Sequence, residues 1–186
     1  MYVRPGCLEE FGRSLENRRQ SGILLIGGAQ EFGRRGGTEN VASIVGFGKA
    51  AALAGRNLAE NAKKMERIRN RLLDKLIEHL GSKNVRDNGP KYASLRLPNT
   101  LSVGLWGVHS GELLASLGDR VAASAGATCH SAGAVSSVLR AMQIPEEFAR
   151  GTLRLSVGPK TTEAEVDRAA ELIAKYTKQH LATKFL

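Results

Sequence analysis

Apolar residues recur at helical spacing through the middle of the chain. Between residues 40 and 80 they return every three or four positions, which is the pattern of an amphipathic helix. The recurring positions are Ile68, Leu72, Leu73, Leu76, Ile77 and Leu80. Gly81 comes next and is typical of the residue that ends a helix. Because Gly46, Gly48 and Gly55 lower helix propensity, we expect a bend or a break in the first half.

The second half of the chain alternates short strand-like and helix-like patterns. The predicted strands are residues 100–105, 121–124 and 152–157. The predicted helices are residues 110–117, residues 135–142 and one that begins at Thr162. Thr162 and Glu165 have the spacing of a capping box. Strands interleaved with helices predict an α/β or α+β layered domain, whereas residues 1–38 and 84–98 are expected to be irregular or loop-rich.

Composition is that of an ordinary globular protein. Hydrophobic residues make up 42% and charged residues 24% of 186 positions, enough to bury a core. Two cysteines, Cys7 and Cys129, do not form a disulfide framework, so we expect a reducing compartment such as the cytoplasm or an organellar matrix. No apolar run approaches the roughly 20 residues of a membrane span, so no membrane partner is expected.

The formal net charge is +9, which raises the question of nucleic-acid binding. The basic residues are scattered, aromatic residues are only 5%, and no groove-reading or RNA-recognition motif is present. Nucleic acid is therefore not an expected partner. We interpret most of the charge as solvated helix surface, with attraction for anionic ligands or an acidic partner protein as the second interpretation.

A glycine-rich stretch from Gly27 to Asn40 leads into the long predicted helix. Glycines let a backbone approach a ligand closely, and a helix N-terminus favours an anion. Thr38 would add a hydroxyl donor and Arg35 a positive charge, so the stretch looks like a phosphate-contacting loop, although it has no Walker A pattern. The alternative, at least as compatible with the sequence, is a glycine-rich turn in which Thr38 is the N-cap.

Cys129 lies in a run of small residues from Ser124 to Gly133. Such a run favours an accessible loop, which suits a nucleophile that must travel to a substrate and away again. The adjacent His130 and the positive net charge favour the thiolate. The alternative is a small buried cysteine that packs like an alanine, against which the surrounding glycines and serines argue.

Arg154 lies in the predicted strand of residues 152–157. Leu153, Leu155 and Val157 share one face of that strand, so Arg154 points to the other. A guanidinium on a rigid strand can hold a carboxylate in a bidentate pair. The alternative is an ordinary surface arginine on a half-exposed strand.

Other candidate motifs do not add a site. Residues 97–103 are interpreted as a turn that enters a strand, with a structural role. The four histidines are spread along the chain without metal-ligand spacing, so no metal site is predicted. A serine hydrolase is also unsupported, because the chain has no Gly-x-Ser-x-Gly elbow.

Four stretches, taken in order, resemble the class V aminotransferase group. They are Gly27-Gly-Ala-Gln-Glu31 with Gly37-Thr-Glu-Asn40, Leu97-Pro-Asn-Thr100, Ser124-Ala-Gly-Ala-Thr-Cys-His-Ser131, and Leu153-Arg-Leu-Ser-Val-Gly158 with Thr161-Thr-Glu-Ala-Glu-Val-Asp167. Within the group the chain is similar to cysteine desulfurases of the bacterial NifS and IscS kind and to selenocysteine lyases. The resemblance extends from Tyr2 to about Tyr176.

The resemblance implies the C-terminal part of a fold-type I transferase that depends on pyridoxal phosphate (PLP). Residues 1–40 would be a remnant of the PLP-binding large domain with its phosphate-contacting loop. Residues 41–186 would be a long linking helix and the C-terminal small domain, an α/β unit with a small sheet covered by helices.

The resemblance also implies roles for three residues. Thr38 matches the threonine that reaches across a dimer to the PLP phosphate of the other subunit. Cys129 matches the cysteine that attacks the sulfur or selenium of the substrate and becomes a persulfide. Arg154 matches the arginine that binds the substrate α-carboxylate. The implied product is alanine, and the implied partners are an amino-acid substrate, a second subunit in a homodimer, and a sulfur-acceptor or scaffold protein of iron–sulfur cluster assembly.

The chain also departs from the family pattern. Phe32 stands where many relatives carry an arginine, Ala29 stands where most have a third glycine, and the loop after Cys129 is slightly shorter. The Schiff-base lysine of the family would precede Tyr2 and matches no position here. Because PLP chemistry depends on that lysine, we expect these 186 residues alone not to turn over cysteine. The alternative function is a non-catalytic module that heterodimerises with a full-length relative.

Overall fold

The computed structural model describes residues 27–28, 30–33, 35–90, 92–125 and 135–184. Its helices are α1 (Gln30–Gly33), α2 (Val41–Leu80), α3 (Ser110–Leu117), α4 (Ser137–Ala141), α5 (Glu146–Ala149) and α6 (Glu163–Lys184), with a 3-10 turn at Ala93–Leu95. Its strands are β1 (Val85–Asp87), β2 (Thr100–Leu105), β3 (Ser124–Ala125) and β4 (Thr152–Ser156). The chain divides into two units, Met1–Gly55 and Arg56–Leu186.

Helix α2 is continuous over 40 residues, so the break expected at its glycines does not occur. Each of these glycines costs only about 1 kcal/mol relative to alanine, and each keeps its backbone N–H and C=O for the helical hydrogen bonds, so the helix is weakened but not broken. The predicted end is confirmed: Gly81 adopts a φ of 84° and its N–H donates to the Ile77 carbonyl at 2.8 Å. Glycine accepts this left-handed conformation without a Cβ clash.

The second unit is built on a four-stranded antiparallel sheet in the order β1-β2-β4-β3. The strands predicted at residues 100–105 and 152–157 are confirmed as β2 and β4. The strand predicted at residues 121–124 is wrong in position, because the observed pairing involves only Ser124 and Ala125. Strand β1 lies in the segment that was expected to be loop-rich, since three residues are too few to show an alternation.

One face of the sheet, the second half of α2, and helices α3 and α6 enclose the hydrophobic core. Its least exposed large residues include Ile68, Leu76, Leu101, Val103, Leu105, Leu113, Leu117, Leu153 and Ile173. In β4, Leu153 and Leu155 are 0% and 4% exposed, whereas Arg154 is exposed. The predicted alternation of β4 is therefore confirmed, and the α/β fold expected from the sequence is the fold observed.

Arg69 is an exception to the interpretation of most basic residues as solvated helix surface. This arginine is only 3% exposed, and burial lowers its pKa. Its guanidinium donates to the Leu97 carbonyl at 2.9 Å and to Asn70 Oδ1 at 2.7 Å. The Asn99 carbonyl in turn accepts the N–H of Val157 at 2.9 Å. The turn predicted to enter a strand at residues 97–103 is thus confirmed, and its Leu97 and Asn99 carbonyls tie α2 to the sheet.

The capping box at the start of α6 forms as predicted. The Thr162 N–H donates to Glu165 Oε2 at 2.7 Å, and the Glu165 N–H donates to Thr162 Oγ1 at 3.3 Å. These bonds from Thr162 hold the pKa of Glu165 below its usual range. Helix α6 supplies Val166, Ala170 and Ile173 to the core, so its first turn fixes a packed element.

We expect Thr162→Ala to lower the free energy of unfolding of the chain by about 1 kcal/mol, because the first turn of α6 loses its cap. Urea unfolding followed by circular dichroism measures the change. The matched control is Thr183→Ala, which removes a hydroxyl bonded only to the Gln179 carbonyl in the last turn of the same helix. An equal loss in both variants contradicts the cap.

The stabilisation that Glu165 contributes depends on pH in a definite direction. Because the pKa of Glu165 is lowered in the folded state, its stabilisation is present above the unfolded pKa and is lost as the pH falls through the folded one. The stability difference between wild type and Glu165→Gln should therefore shrink as the pH falls below the unfolded glutamate pKa of about 4.3.

Across the described ranges, no helix combines the length and apolarity that crossing a bilayer demands.

Candidate functional site

Arg154 stands at the centre of a polar row on the outer face of the sheet, opposite the core. It is directly opposite Ser102 of β2 and also directly opposite Ser124 of β3. Directly opposed residues of antiparallel strands point to the same face, so the three side chains emerge side by side. Arg154 is exposed and both serines are partly exposed. We call Ser102, Arg154 and Ser124 the outer-face row.

The guanidinium of Arg154 has no hydrogen bond or ion pair with any residue that the structure describes. Several other arginines of the same unit are engaged, although Arg86 and Arg140, like Arg154, have no side-chain partner among the described residues. Arg71 binds both carboxylate oxygens of Asp167 at 2.8 and 2.7 Å, and Arg96 binds both oxygens of Asp87 at 3.1 and 2.6 Å. Arg154 therefore offers the planar donor fork that binds a carboxylate in two parallel hydrogen bonds.

Buried polar bonds fix the strand that carries Arg154. The Asn88 amide donates to Thr152 Oγ1 at 3.0 Å, and that hydroxyl donates to the Phe148 carbonyl at 3.0 Å. Asn88 is 5% and Thr152 is 3% exposed. A Cβ at Gly104 would lie 2.9 Å from Phe148 Cβ, so α5 closes this end of the outer face. The row containing Arg154 lies beyond this covered end, on a strand held in place.

Sequence reasoning missed Asn88 and Thr152. Asn88 follows a strand too short to recognise, and Thr152 looks like an ordinary strand residue. The only signal in the sequence was that both residues are polar. Their burial, which gives that signal its meaning, can be known only from the fold. Asn88 Oδ1 is buried without a hydrogen-bond partner in the structure, and we have no physical account of it.

Cys129 and its neighbour His130 lie outside the described residues. The described chain reaches Ala125, which is opposite Leu153 in β4, and resumes at Val135. The residue predicted as nucleophile therefore stays a prediction. The structure places only the edge strand β3 from which its segment departs.

Thr38 is exposed and lies three residues before Val41, the first residue of α2, in the first unit. The alternative in which Thr38 is the N-cap is wrong, because Asn40 Oδ1 accepts the Ser43 N–H at 3.1 Å. In the described part of the chain the Thr38 hydroxyl forms no hydrogen bond. It remains available to a ligand. Thr38 and Arg154 belong to different units.

Arg35 is not available to an anion as the sequence suggested. Its guanidinium donates to the carbonyls of Gly36 and Gly37. It also lies 3.6 Å from the carboxylate of Glu31 and 3.3 Å from that of Glu39. Two carboxylates and two carbonyls satisfy this side chain, so Arg35 holds its own loop together.

The glycines of this loop have a packing reason as well. A Cβ at Gly27 would lie 2.8 Å from Gly36 Cα, and one at Gly36 would lie 2.6 Å from Gly27 Cα. The two backbone segments approach closely only because both residues are glycine.

A cluster between α3 and α6 has the outline of a hydrolase triad. Ser116 Oγ lies 2.9 Å from His180 Nε2, and His180 Nδ1 lies 3.8 Å from a Glu112 carboxylate oxygen. The Ser116 hydroxyl, however, donates to the Glu112 carbonyl at 3.0 Å, so His180 Nε2 must be the donor to Ser116. A histidine that donates to a serine cannot take its proton, and we assign the cluster to helix packing. In the described ranges no group of three His, Cys, Asp or Glu residues could hold a metal ion.

The family model for class-V aminotransferases matches residues 27–169, and the chain belongs to this PLP-dependent family. The match includes the sequence positions of Thr38, Cys129 and Arg154.

Among curated relatives, the cysteine desulfurase IscS of Clostridium botulinum is 40% identical over 158 residues, which are 84% of this chain and 39% of the relative. A cysteine desulfurase of Frankia sp. is 41% identical over 150 residues, 80% of this chain and 35% of the relative. A solved NifS-like protein from Rickettsia africae superposes with a TM-score of 0.68 at 30% identity, over 86% of this chain and 41% of its own. This chain therefore spans about two fifths of the length of the relatives it matches.

Proposed function

We propose that this chain is the C-terminal part of a PLP-dependent cysteine desulfurase or selenocysteine lyase. Arg154 binds the carboxylate of the amino-acid substrate, and Cys129 accepts its sulfur or selenium. The observation that carries the proposal is the unpaired guanidinium of Arg154 on a fixed strand, next to the strand that leads to Cys129. The similarity to proteins named cysteine desulfurase supports it. In this proposal residues 1–40 belong to the PLP-binding domain and residues 41–186 to the small domain.

Substrate binding by Arg154 follows from its surroundings. A charge-assisted bidentate pair fixes both the position and the orientation of a carboxylate. The buried hydrogen bonds of Thr152 anchor the strand two residues before Arg154. Because the backbone that carries the guanidinium is already rigid, little conformational entropy is lost when a carboxylate binds.

Chain length ties the proposed nucleophile to this site. Cys129 is four residues after Ala125, so its Cα lies within about 14 Å of the Ala125 Cα in any conformation. In the proposed step the Cys129 thiolate attacks the substrate sulfur and forms an S–S bond. The electron pair of the broken C–S bond stays on the carbon, which takes up a proton and leaves as alanine.

The residues present fit a PLP-dependent reaction in part. The free hydroxyl of Thr38 suits a phosphate oxygen, and in a homodimer it would serve the cofactor of the other subunit. When bound, PLP supplies the electron sink for the substrate carbon. The Schiff-base lysine would lie outside these 186 residues. The persulfide on Cys129 would pass to a sulfur-acceptor or scaffold protein in a reducing compartment.

A second candidate is a non-catalytic module that heterodimerises with a full-length relative. The observation that favours it is an exposed apolar surface on the first half of α2. Its residues are Val41 at 62%, Ile44 at 59%, Val45 at 66% and Phe47 at 77% exposure. Such a surface is typical of a helix that packs against another polypeptide. A non-catalytic module would not need Cys129 to react preferentially with carboxylate-bearing reagents. The reactivity of Cys129 therefore distinguishes the two candidate functions.

We expect Cys129 to prefer a carboxylate-bearing alkylating agent, because Arg154 attracts the carboxylate toward the thiol. The rates of alkylation by iodoacetate and by neutral iodoacetamide give a ratio for each cysteine, read by mass spectrometry. The ratio at Cys129 should exceed that at Cys7 about fivefold, which corresponds to about 1 kcal/mol for a partly exposed ion pair. Cys7 in the same chain is the internal reference.

The variant Arg154→Gln should bring the Cys129 ratio down to that of Cys7. The matched control is Arg168→Gln on α6, whose guanidinium is already paired with Glu171 at 3.1 Å and whose loss removes the same net charge. Equal ratios at both cysteines in the wild-type chain would sink the proposed site and leave the module as the better interpretation.

A further inference from the structure

We infer that Ser102 and Ser124 are specificity-determining residues of the carboxylate site. They keep both flanks of Arg154 free of a competing acidic side chain, so that only a ligand satisfies the guanidinium. This inference rests on the proposed function, in which that ligand is the substrate carboxylate. It adds residues that the sequence could not bring together, since their alignment depends on the register of three strands.

The two flanking positions are where a sheet would normally neutralise an exposed arginine. Side chains directly opposite each other on neighbouring strands have Cβ atoms about 5 Å apart, and opposite charges placed there attract. An aspartate at either position would reach the guanidinium and occupy its donors. Serine is too short and uncharged, so Arg154 stays unpaired in the described part of the chain.

The four strands carry no acid on this face, and the two acids of α5, Glu146 and Glu147, belong to the helix that closes its far end. The residues of β1, β2, β3 and β4 on this face are Arg86, Thr100, Ser102, Gly104, Ser124, Thr152, Arg154 and Ser156. The acidic strand residue Asp87 is opposite Val103, a core residue, and is bound by Arg96. Within the described strands the outer face therefore presents cationic and hydroxyl groups only, which selects an anion.

The hydroxyls indicate which anion fits. Thr100 and Ser156 are directly opposite each other beside the row, so short hydroxyl side chains surround the one guanidinium at this end. A single guanidinium balances one negative charge and matches the planar geometry of a carboxylate. Arg86, the other cation of this face, is opposite Gly104 and lies outside the outer-face row. The chemical class expected for the row itself is thus a small monocarboxylate.

Arginine labelling tests this inference on the 186-residue chain without PLP or turnover. Phenylglyoxal modifies accessible guanidinium groups, and peptide mass spectrometry gives the rate at each site. Arg154 should react several-fold faster than Arg71, which Asp167 holds in a bidentate pair. Ser102→Asp and Ser124→Asp should each lower the labelling rate of Arg154 about threefold or more, because the new aspartate forms a cross-strand ion pair with the guanidinium.

Three controls accompany these variants. Ser102→Thr and Ser124→Thr keep a short hydroxyl and should leave the Arg154 rate within about twofold of wild type. Gln179→Glu adds the same charge at an exposed position of α6 and should have no effect at Arg154. An unchanged rate at Arg71 reports that α2 and α6 remain packed, so a slower Arg154 cannot come from a misfolded variant.

Ligand protection identifies the anion. L-alanine should slow the labelling of Arg154 in the wild-type chain more than inorganic phosphate at equal ionic strength does. Stronger protection by phosphate would overturn the monocarboxylate class. Aspartate variants that label as fast as wild type would overturn the role of the serines, even where the alkylation preference at Cys129 holds. Fast labelling of Arg154 without any alkylation preference would instead count against the proposed function alone.

Discussion

Cys129→Ser will reduce sulfide release by on the order of 1,000-fold or more in an enzyme that contains this chain, because a neutral hydroxyl is a far weaker nucleophile than a thiolate. The suitable enzyme is a chimaera in which residues 27–176 follow the N-terminal part of the Clostridium botulinum relative, up to its aligned boundary. That relative is 40% identical over 158 residues, and this chain matches 39% of its length. Sulfide release in the presence of dithiothreitol and alanine formation from cysteine are the measurements.

The matched control is Ala127→Ser, which adds a hydroxyl to the same segment and removes no thiol. It should stay within about twofold of the parent chimaera. The absorbance of bound PLP should be the same in the parent, Cys129→Ser and Ala127→Ser, which separates a lost nucleophile from a lost fold. The 186-residue chain with PLP should form no alanine above a protein-free mixture. Sulfide release by Cys129→Ser at a tenth of the parent rate would contradict the assignment.

Elements with a local signature could be predicted from the sequence. Helix α2 shows its apolar period for many turns, and β4 alternates over enough positions to place Arg154 opposite the core. The capping box is a four-residue pattern with its own hydrogen bonds, and it forms at Thr162 and Glu165 as expected. In each case the information lies within one segment, so no knowledge of the neighbours is needed.

Features that depend on distant segments could not be predicted. Strands β1 and β3 exist because β2 and β4 offer them a partner edge, and their few residues carry no period of their own. Arg69 looks like every other basic residue of its helix, and only the approach of the Leu97 carbonyl explains its burial. The surroundings of Arg154 are of the same kind, since Ser102 and Ser124 come from strands 52 and 30 residues away.

The loop before α2 shows why two residues of one pattern can differ: the assignment of Thr38 stays a prediction, and that of Arg35 is wrong. Thr38 and Arg35 were predicted together as groups for an anion. The Thr38 hydroxyl is free because Asn40 caps the helix instead. The guanidinium of Arg35, by contrast, pairs with the carboxylates of Glu31 and Glu39. The presence of a cation near a helix N-terminus does not show that the cation faces a ligand.

Gly151→Ala will lower the free energy of unfolding by about 3 kcal/mol or more. A Cβ at this position would lie 2.1 Å from the carbonyl oxygen of Leu105 and 3.1 Å from Val108 Cγ2. The Leu105 carbonyl belongs to a fully buried strand residue and cannot move aside, and the Leu105 N–H already donates to the Gly151 carbonyl at 3.2 Å. Backbone displacement in a packed core has a cost of this size.

Gly111→Ala is the matched control, because it adds the same methyl group where no atom lies within 4 Å. Gly111 is in the first turn of α3, so alanine should not lower stability and should raise it by up to about 1 kcal/mol. Urea unfolding measures the free energy of unfolding of both variants. The same added methyl group should lower it at position 151 and raise it at position 111. A loss under 1 kcal/mol for Gly151→Ala would mean that β4 can shift against β2. The outer-face row would then be adjustable, because the register of those two strands is what sets Arg154 beside Ser102.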